Sequence, residues 1–167
     1  LKVSVQEPVQ ETGNVSPWKL RVITHQAKKN LPQQRIHIDI CSLPSYERKP
    51  AILRNHYGVE MGTSGLIVQA QSLEEIMADK IGALAFRPNR LKNRDLWDMG
   101  WLGQQNTGLR ADLIEKKILD RGRTVTEFTD LLKHRSDQLR SKSEIRRSFV
   151  EEMKRFLPAA VVSSTVE

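Results

Sequence analysis

The sequence predicts an α+β protein in which a partial mixed β-sheet precedes a helical bundle. Short segments of alternating polar and apolar residues fill the first 70 positions, whereas apolar residues recur every three or four positions through residues 71–158. The net charge of +7 bears on binding partners and not on the fold, and it suits a polyanionic partner. We therefore divide the chain into a sheet region (1–70), a helical domain (71–158) and a disordered tail (159–167).

Size and composition narrow the class of protein. At 167 residues the chain has room for one domain or for part of a larger one. Its single cysteine, Cys41, excludes an internal disulfide and makes a reducing cytoplasm the expected location. No apolar run approaches membrane-spanning length, so no membrane partner is expected. The sequence begins at Leu1, already inside a strand pattern, which indicates a fragment.

Three strands are predicted before residue 42, at 2–5, 18–24 and 35–41. The third alternates most clearly, with its isoleucines on one face and His37 and Asp39 on the other. Aspartate is disfavoured in strands. Asp39 is therefore either a solvent-facing strand residue or a functional residue, and spacing alone leaves both interpretations open.

The connection to the helices is predicted to be irregular over 44–54 and turn-rich over 58–65. The Gly62-Thr-Ser-Gly65 run lacks the lysine and the helix start of a phosphate-binding loop, so a plain turn is favoured. The histidines and Cys41 show no spacing typical of zinc ligands. A short apolar run at 66–68 then leads to Ser72.

The helix that follows Ser72 carries an anomalous charge. Its apolar residues lie at helical spacing: Leu73, Ile76, Met77, Ile81 and Leu84. Ser72 is the expected N-cap, and Glu75 stands where a capping box places its carboxylate. Lys80 falls on the apolar stripe, where a charge is costly unless it is paired.

A basic loop and a second helix supply acidic partners for Lys80. Pro88 breaks the first helix, the loop is basic, and the next helix opens near Arg94. Asp95 and Asp98 share one face of that helix. A structural ion pair between Lys80 and either aspartate is as well supported by spacing as a functional site is.

The rest of the chain is predicted to be helical and basic. Helices are expected over 109–119, over 127–140 with Thr124 or Thr126 as cap, and over 145–156 with Ser141 or Ser143 as cap. Clustered basic residues predict a nucleic-acid surface, although a solvated helix face is the alternative for any one of them. They are Arg135, Arg140, Lys142, Arg146 and Arg147.

The run SLEEIMADKIGAL…R…NRDLWDMGWL resembles the signature of nucleotidyltransferase toxins of the AbiEii/AbiGii type, within the polymerase-beta-like nucleotidyltransferase superfamily. That family carries a lysine on one helix, a short basic loop, and Arg-Asp-x-x-Asp followed by an apolar or aromatic pair. The residues that match here are Lys80, Arg94, Asp95 and Asp98.

The resemblance implies a cytoplasmic enzyme that transfers a nucleotide from an NTP to an acceptor, with tRNA expected, and that a cognate antitoxin neutralises. Lys80 would neutralise triphosphate charge, and Asp95 would orient Lys80 or assist proton transfer. Asp39 would be the third carboxylate that holds Mg²⁺, and Asp98 would support the site. The expected phosphate-binding residues are Arg94, Arg87, Arg90 and Lys92.

The family's first motif, Gly-Ser followed by Asp-x-Asp, is missing from this sequence. Since that motif lies upstream of the first predicted strand in the family, we expect the C-terminal part of such a toxin, inactive alone. The alternative is a non-catalytic module of the same fold, either one that binds nucleic acid or a structural one in which Lys80 and Asp95 form only an ion pair.

Overall fold

The computed structural model describes residues 2–8, 13–23, 25, 31, 33–55, 58, 62–88 and 91–165. The chain divides into two compact units, a first unit Leu1–Pro44 and a second unit Ser45–Glu167. The predicted boundary after residue 70 differs from this division. The second hairpin of the chain belongs to the helical unit, and the segment that leads into it donates hydrogen bonds to Glu75 on the first helix.

The first unit contains a three-stranded antiparallel sheet in the order β1-β2-β3. Its strands are β1 (Lys2–Gln6), β2 (Val15–Ile23) and β3 (Gln34–Cys41). The three predicted strands are present, although β2 begins earlier than expected and Thr24 lies outside the described residues. The prediction of a mixed sheet is wrong for the described strands, because each of their pairings is antiparallel.

A β-hairpin opens the second unit. It pairs β4 (Arg48–Ile52) with β5 (Ile67–Gln71), so the irregular structure predicted over 44–54 is wrong for β4. Pro50 lies within β4, where it is tolerated because a two-stranded ladder has a free edge. Between the strands, Gly62 and Gly65 have φ of 65° and 83°, as a tight turn requires, and residues 59–61 of the predicted turn lie outside the described residues.

Six helices follow in the described residues, which confirms the α+β class. They are α1 (Leu73–Phe86), α2 (Asn93–Gln104), α3 (Ala111–Leu119), α4 (Val125–Ser141), α5 (Ser143–Phe156) and α6 (Ala159–Thr165). α1 contacts α2, α3 and α4, and the core lies between them, built from Met77, Ile81, Ala85, Leu102, Ile118 and Phe128. None of the described helices is both long enough and apolar enough to cross a membrane.

The helix caps were predicted in part. Ser72 caps α1, since its Oγ accepts from the Glu75 N–H at 3.1 Å, and Thr124 caps α4 through the Glu127 N–H at 3.2 Å. At α5 the prediction is wrong: the N-cap is Lys142, whose side chain makes no capping bond.

The tail was predicted to be disordered, and this is wrong for Ala159–Thr165, which form α6. Pro158 ends α5, yet its carbonyl accepts from Val161 and Val162 and so starts a new helical turn. Val162 is buried in a second small core that contains Met153. Burial of apolar side chains therefore orders this segment.

Candidate functional site

The structure brings Lys80 together with both aspartates of the Arg-Asp-x-x-Asp motif. Lys80 projects from α1, and its Nζ lies 2.8 Å from Asp95 Oδ1 and 2.5 Å from Asp98 Oδ2 on α2. The predicted contact between Lys80 and Asp95 is present. The three side chains differ in exposure: 26% for Lys80, 6% for Asp95 and 43% for Asp98. The cluster is therefore closed at Asp95 and open to solvent at Asp98.

Asp95 is held by two cations. Its second oxygen, Oδ2, accepts from Arg87 Nη1 at 2.7 Å. Burial raises the pKa of Asp95, but the hydrogen bonds and charges of Lys80 and Arg87 outweigh burial and lower it. Burial likewise opposes the charged form of Lys80, and the bonds to Asp95 and Asp98 prevail and raise the Lys80 pKa. Both groups are therefore ionised at neutral pH.

Arg135 braces the turn that carries Arg87. From α4, Arg135 Nη2 donates to the Arg87 carbonyl at 2.5 Å and to the Pro88 carbonyl at 3.3 Å. The sequence placed Arg135 among residues of a nucleic-acid surface, and no local pattern revealed this contact. By fixing the backbone of Arg87, Arg135 helps to hold the Arg87 guanidinium against Asp95.

Arg94, another predicted phosphate-binding residue, packs against α5. The Arg94 guanidinium stacks over the Phe156 ring at 3.7 Å, and its Nε lies 3.5 Å from Glu152 Oε1. Arg94 thus faces α5, because consecutive residues of an α-helix point about 100° apart. Lys92 is exposed beside the start of α2, and Arg90 lies outside the described residues.

Asp39, the predicted metal carboxylate, lies on β3 in the first unit and is exposed. Within the described residues, no group of three or more His, Cys, Asp or Glu side chains could hold a metal ion. The two carboxylates of the site, Asp95 and Asp98, already form ion pairs with Lys80 and Arg87. The described residues therefore do not form a Mg²⁺ site by themselves, and the role of Asp39 stays a prediction.

A second ionic cluster, centred on Glu75, was missed from the sequence. The Glu75 side chain is fully buried, and its Oε1 lies 2.6 Å from Lys117 Nζ on α3. It also accepts from the backbone N–H of Tyr46 at 2.9 Å and of Glu47 at 2.7 Å. The signal was available: Lys117 lies four positions after Leu113, on the buried face of its helix.

These contacts correct the predicted capping box at the start of α1. Ser72 does cap the helix, but its own backbone N–H donates to the Glu47 carbonyl at 2.8 Å. The Glu75 carboxylate therefore does not return to Ser72 and instead joins α1 to α3 and to the segment that leads into β4.

Acid should remove the contribution of Glu75 to stability. Burial raises the Glu75 pKa, but Lys117 and the N–H groups of Glu47 and Tyr46 bring it down from 4.5 to about 2. A carboxylate whose pKa is lower in the folded state stabilises fully above its unfolded pKa and loses that effect as pH falls toward the folded one. The stability advantage of wild type over Glu75→Gln, measured by denaturant unfolding, should narrow between about pH 4.5 and 2. An advantage independent of pH across that window would contradict the assignment.

A protein-family model described as "Nucleotidyl transferase AbiEii toxin, Type IV TA system" matches residues 2–163. The match includes both units and every residue of the Lys80 cluster. No curated protein and no solved structure matches the chain.

Proposed function

Because the chain belongs to the AbiEii family of nucleotidyl transferase toxins, we propose that it supplies the lysine and aspartate half of a site that transfers a nucleotide from an NTP to tRNA. Membership in a toxin–antitoxin family implies a nucleotide substrate and an antitoxin partner. The acceptor, the NTP and the roles of individual residues are our proposal.

The observation that carries the proposal is the geometry around Lys80. An ammonium group has three N–H donors, and Asp95 and Asp98 take two of them. The third donor is available for a phosphate oxygen, and the partial exposure of the side chain gives such an oxygen access. Since the Lys80 pKa is raised, Lys80 acts as a fixed positive charge that stabilises the charge of the transferred phosphoryl group.

Asp95 is best suited to positioning Lys80. Both of its oxygens accept hydrogen bonds from cations, and its pKa is lowered, so it is a poor acceptor for the proton of an attacking hydroxyl. Asp98 supports Lys80 from the exposed side. Arg87 has further N–H donors beyond the one bound to Asp95, which supports its predicted role in binding phosphate. We propose that Arg90 and Lys92 contribute to the same binding.

Nucleotidyl transferases of this kind usually use a divalent metal, and we propose Mg²⁺ with Asp39 as one of its ligands. Asp39 would help to hold the ion, and the ion would supply positive charge that stabilises the negative charge of the phosphates.

A structural role for the Lys80 cluster is the competing proposal. Its charges balance, since two cations, Lys80 and Arg87, face two carboxylates, Asp95 and Asp98. A balanced cluster needs no external anion, and buried pairs of this kind also serve only to hold helices together. The Lys80 substitution in the Discussion separates the two roles.

The proposed reaction can be tested directly with the protein encoded by the complete gene. Incubation with each labelled NTP and total tRNA, with Mg²⁺ present, should place label at the 3′ end of tRNA. Addition of the cognate antitoxin should suppress the labelling. A folded protein that labels no RNA with any of the four NTPs would contradict the proposal.

A further inference from the structure

One face of the sheet in the first unit is cationic. It carries Lys19 and Arg21 from β2 and Arg35 and His37 from β3, and we call these four residues the cationic sheet face. One carboxylate, Asp39, lies on the same side of β3, two positions beyond His37. The strand register sets Lys19 opposite His37 and Arg21 opposite Arg35. Together with Gln6 of β1 and Leu20 of β2, they line a cavity of about 170 Å³.

This arrangement is unfavourable for the isolated fold. Arg21 and Arg35 are like charges directly opposite each other on neighbouring strands, and such a pair destabilises a sheet. The β1 residues on the other side of Lys19 and Arg21 are Gln6 and Ser4, which are neutral. Among the ion pairs formed within the described residues, none involves the cationic sheet face. An anion from outside the described fold would relieve the repulsion.

The dimensions of the face favour a strand of phosphates over a single small molecule. At a rise of about 3.3 Å per residue, Lys19 and Arg21 stand roughly 7 Å apart along β2, and Arg35 and His37 are spaced in the same way on β3. The cavity is smaller than the roughly 300–1,000 Å³ of sites that enclose small ligands. The face therefore presents basic side chains at regular intervals along two strands, which suits the repeating charges of a nucleic-acid backbone.

We propose that the cationic sheet face binds the phosphate backbone of a single-stranded RNA segment. Arg21 and Arg35 are the principal contacts, since a guanidinium donates two parallel hydrogen bonds to one phosphate. Lys19 adds a point charge, and His37 donates from its ring. The choice of RNA rests on the proposed function, in which RNA is the acceptor, while the existence of an anion track rests on the sheet alone.

The test measures binding of a short fluorescein-labelled single-stranded RNA to the whole chain by anisotropy over a series of salt concentrations. In Arg21→Gln/Arg35→Gln the slope of log affinity against log salt should fall by about 1.4, and affinity at low salt should fall roughly tenfold or more. The thermal midpoint should hold or rise, because a repulsive pair has been removed. A lower thermal midpoint would show that the two arginines stabilise the fold, and it would contradict the proposal.

A matched control separates the face from general charge. Lys49→Gln/Lys133→Gln also removes two positive charges, but from exposed positions in the second unit, and it should leave RNA affinity nearly unchanged. Equal weakening by both double variants, or no weakening by the arginine variant, would overturn the proposal. Should the double variant unfold, Arg35→Gln alone should show half the change in slope.

Two further arms keep this inference distinct from the proposed function. Labelled ATP is titrated in place of RNA; if the arginine variant weakens ATP binding and leaves RNA binding intact, the face binds nucleotide and the proposal is overturned. The RNA titration is also run with no NTP present, so that binding is measured without any nucleotide transfer. RNA binding that depends on Arg21 and Arg35 would therefore stand even if no nucleotide transfer were found.

Discussion

Replacement of Lys80 with methionine is expected to reduce nucleotide transfer by roughly 10²–10³-fold while the protein stays folded, as removal of one preorganised electrostatic group does in other enzymes. Methionine keeps the aliphatic stem on α1 and removes only the charge. Asp95 is not stranded by the change, because Arg87 still donates to it at 2.7 Å. The loss of stability should therefore stay below the roughly 3–5 kcal/mol that an uncompensated buried charge costs.

The measurement pairs transfer of labelled NTP to tRNA with the thermal midpoint, both in the complete gene product. Lys49→Met is the matched control: Lys49 is 66% exposed, lies 3.4 Å from Glu74, and should affect neither quantity by much. A large fall in midpoint, with transfer retained by the folded fraction, would assign Lys80 to the structural role. The same fall in transfer for Lys49→Met would show that the assay reports lost surface charge.

The largest loss of stability is expected from Glu75→Ala, about 3–5 kcal/mol. The change leaves Lys117, only 5% exposed, without its closest carboxylate. It also deprives the partly buried N–H groups of Tyr46 and Glu47 of their acceptor, and a donor left unpaired away from water costs free energy of its own. Asp79, 3.3 Å from Lys117, compensates only in part, because it already pairs with Arg121.

Glu74→Ala, one position earlier in the same helical turn, is the control. Glu74 pairs with the exposed Lys49, and its replacement should change the free energy of unfolding only slightly, because exposed ion pairs contribute little. Chemical denaturation of both variants gives the comparison. Combining Glu75→Ala with Lys117→Met should cost less than the sum of the two single changes, because the second removes the charge that the first left unpaired. Equal losses for Glu74→Ala and Glu75→Ala would mean that the buried network contributes nothing.

Local patterns in the sequence were sufficient for most of the elements and for the centre of the candidate site. Alternation predicted β1, β2 and β3, and helical spacing predicted α1 to α5, because each pattern repeats within a few residues. The position of Lys80 on an apolar stripe predicted a partner, and the shared face of Asp95 and Asp98 identified it. Only a short turn separates the two helices, so few arrangements of them could bring Lys80 into contact with both aspartates.

Tertiary structure decided the contacts that join distant segments. Glu75 was predicted to cap its own helix, but it bonds to Lys117, 42 positions later. Arg135 looked like a surface cation and instead braces the turn at Arg87. β4 contains a proline, yet it forms because β5 supplies a ladder in which that proline is tolerated. In each case the free energy comes from a partner that lies far away along the chain, and periodicity within one segment carries no information about which distant segment will pack against it.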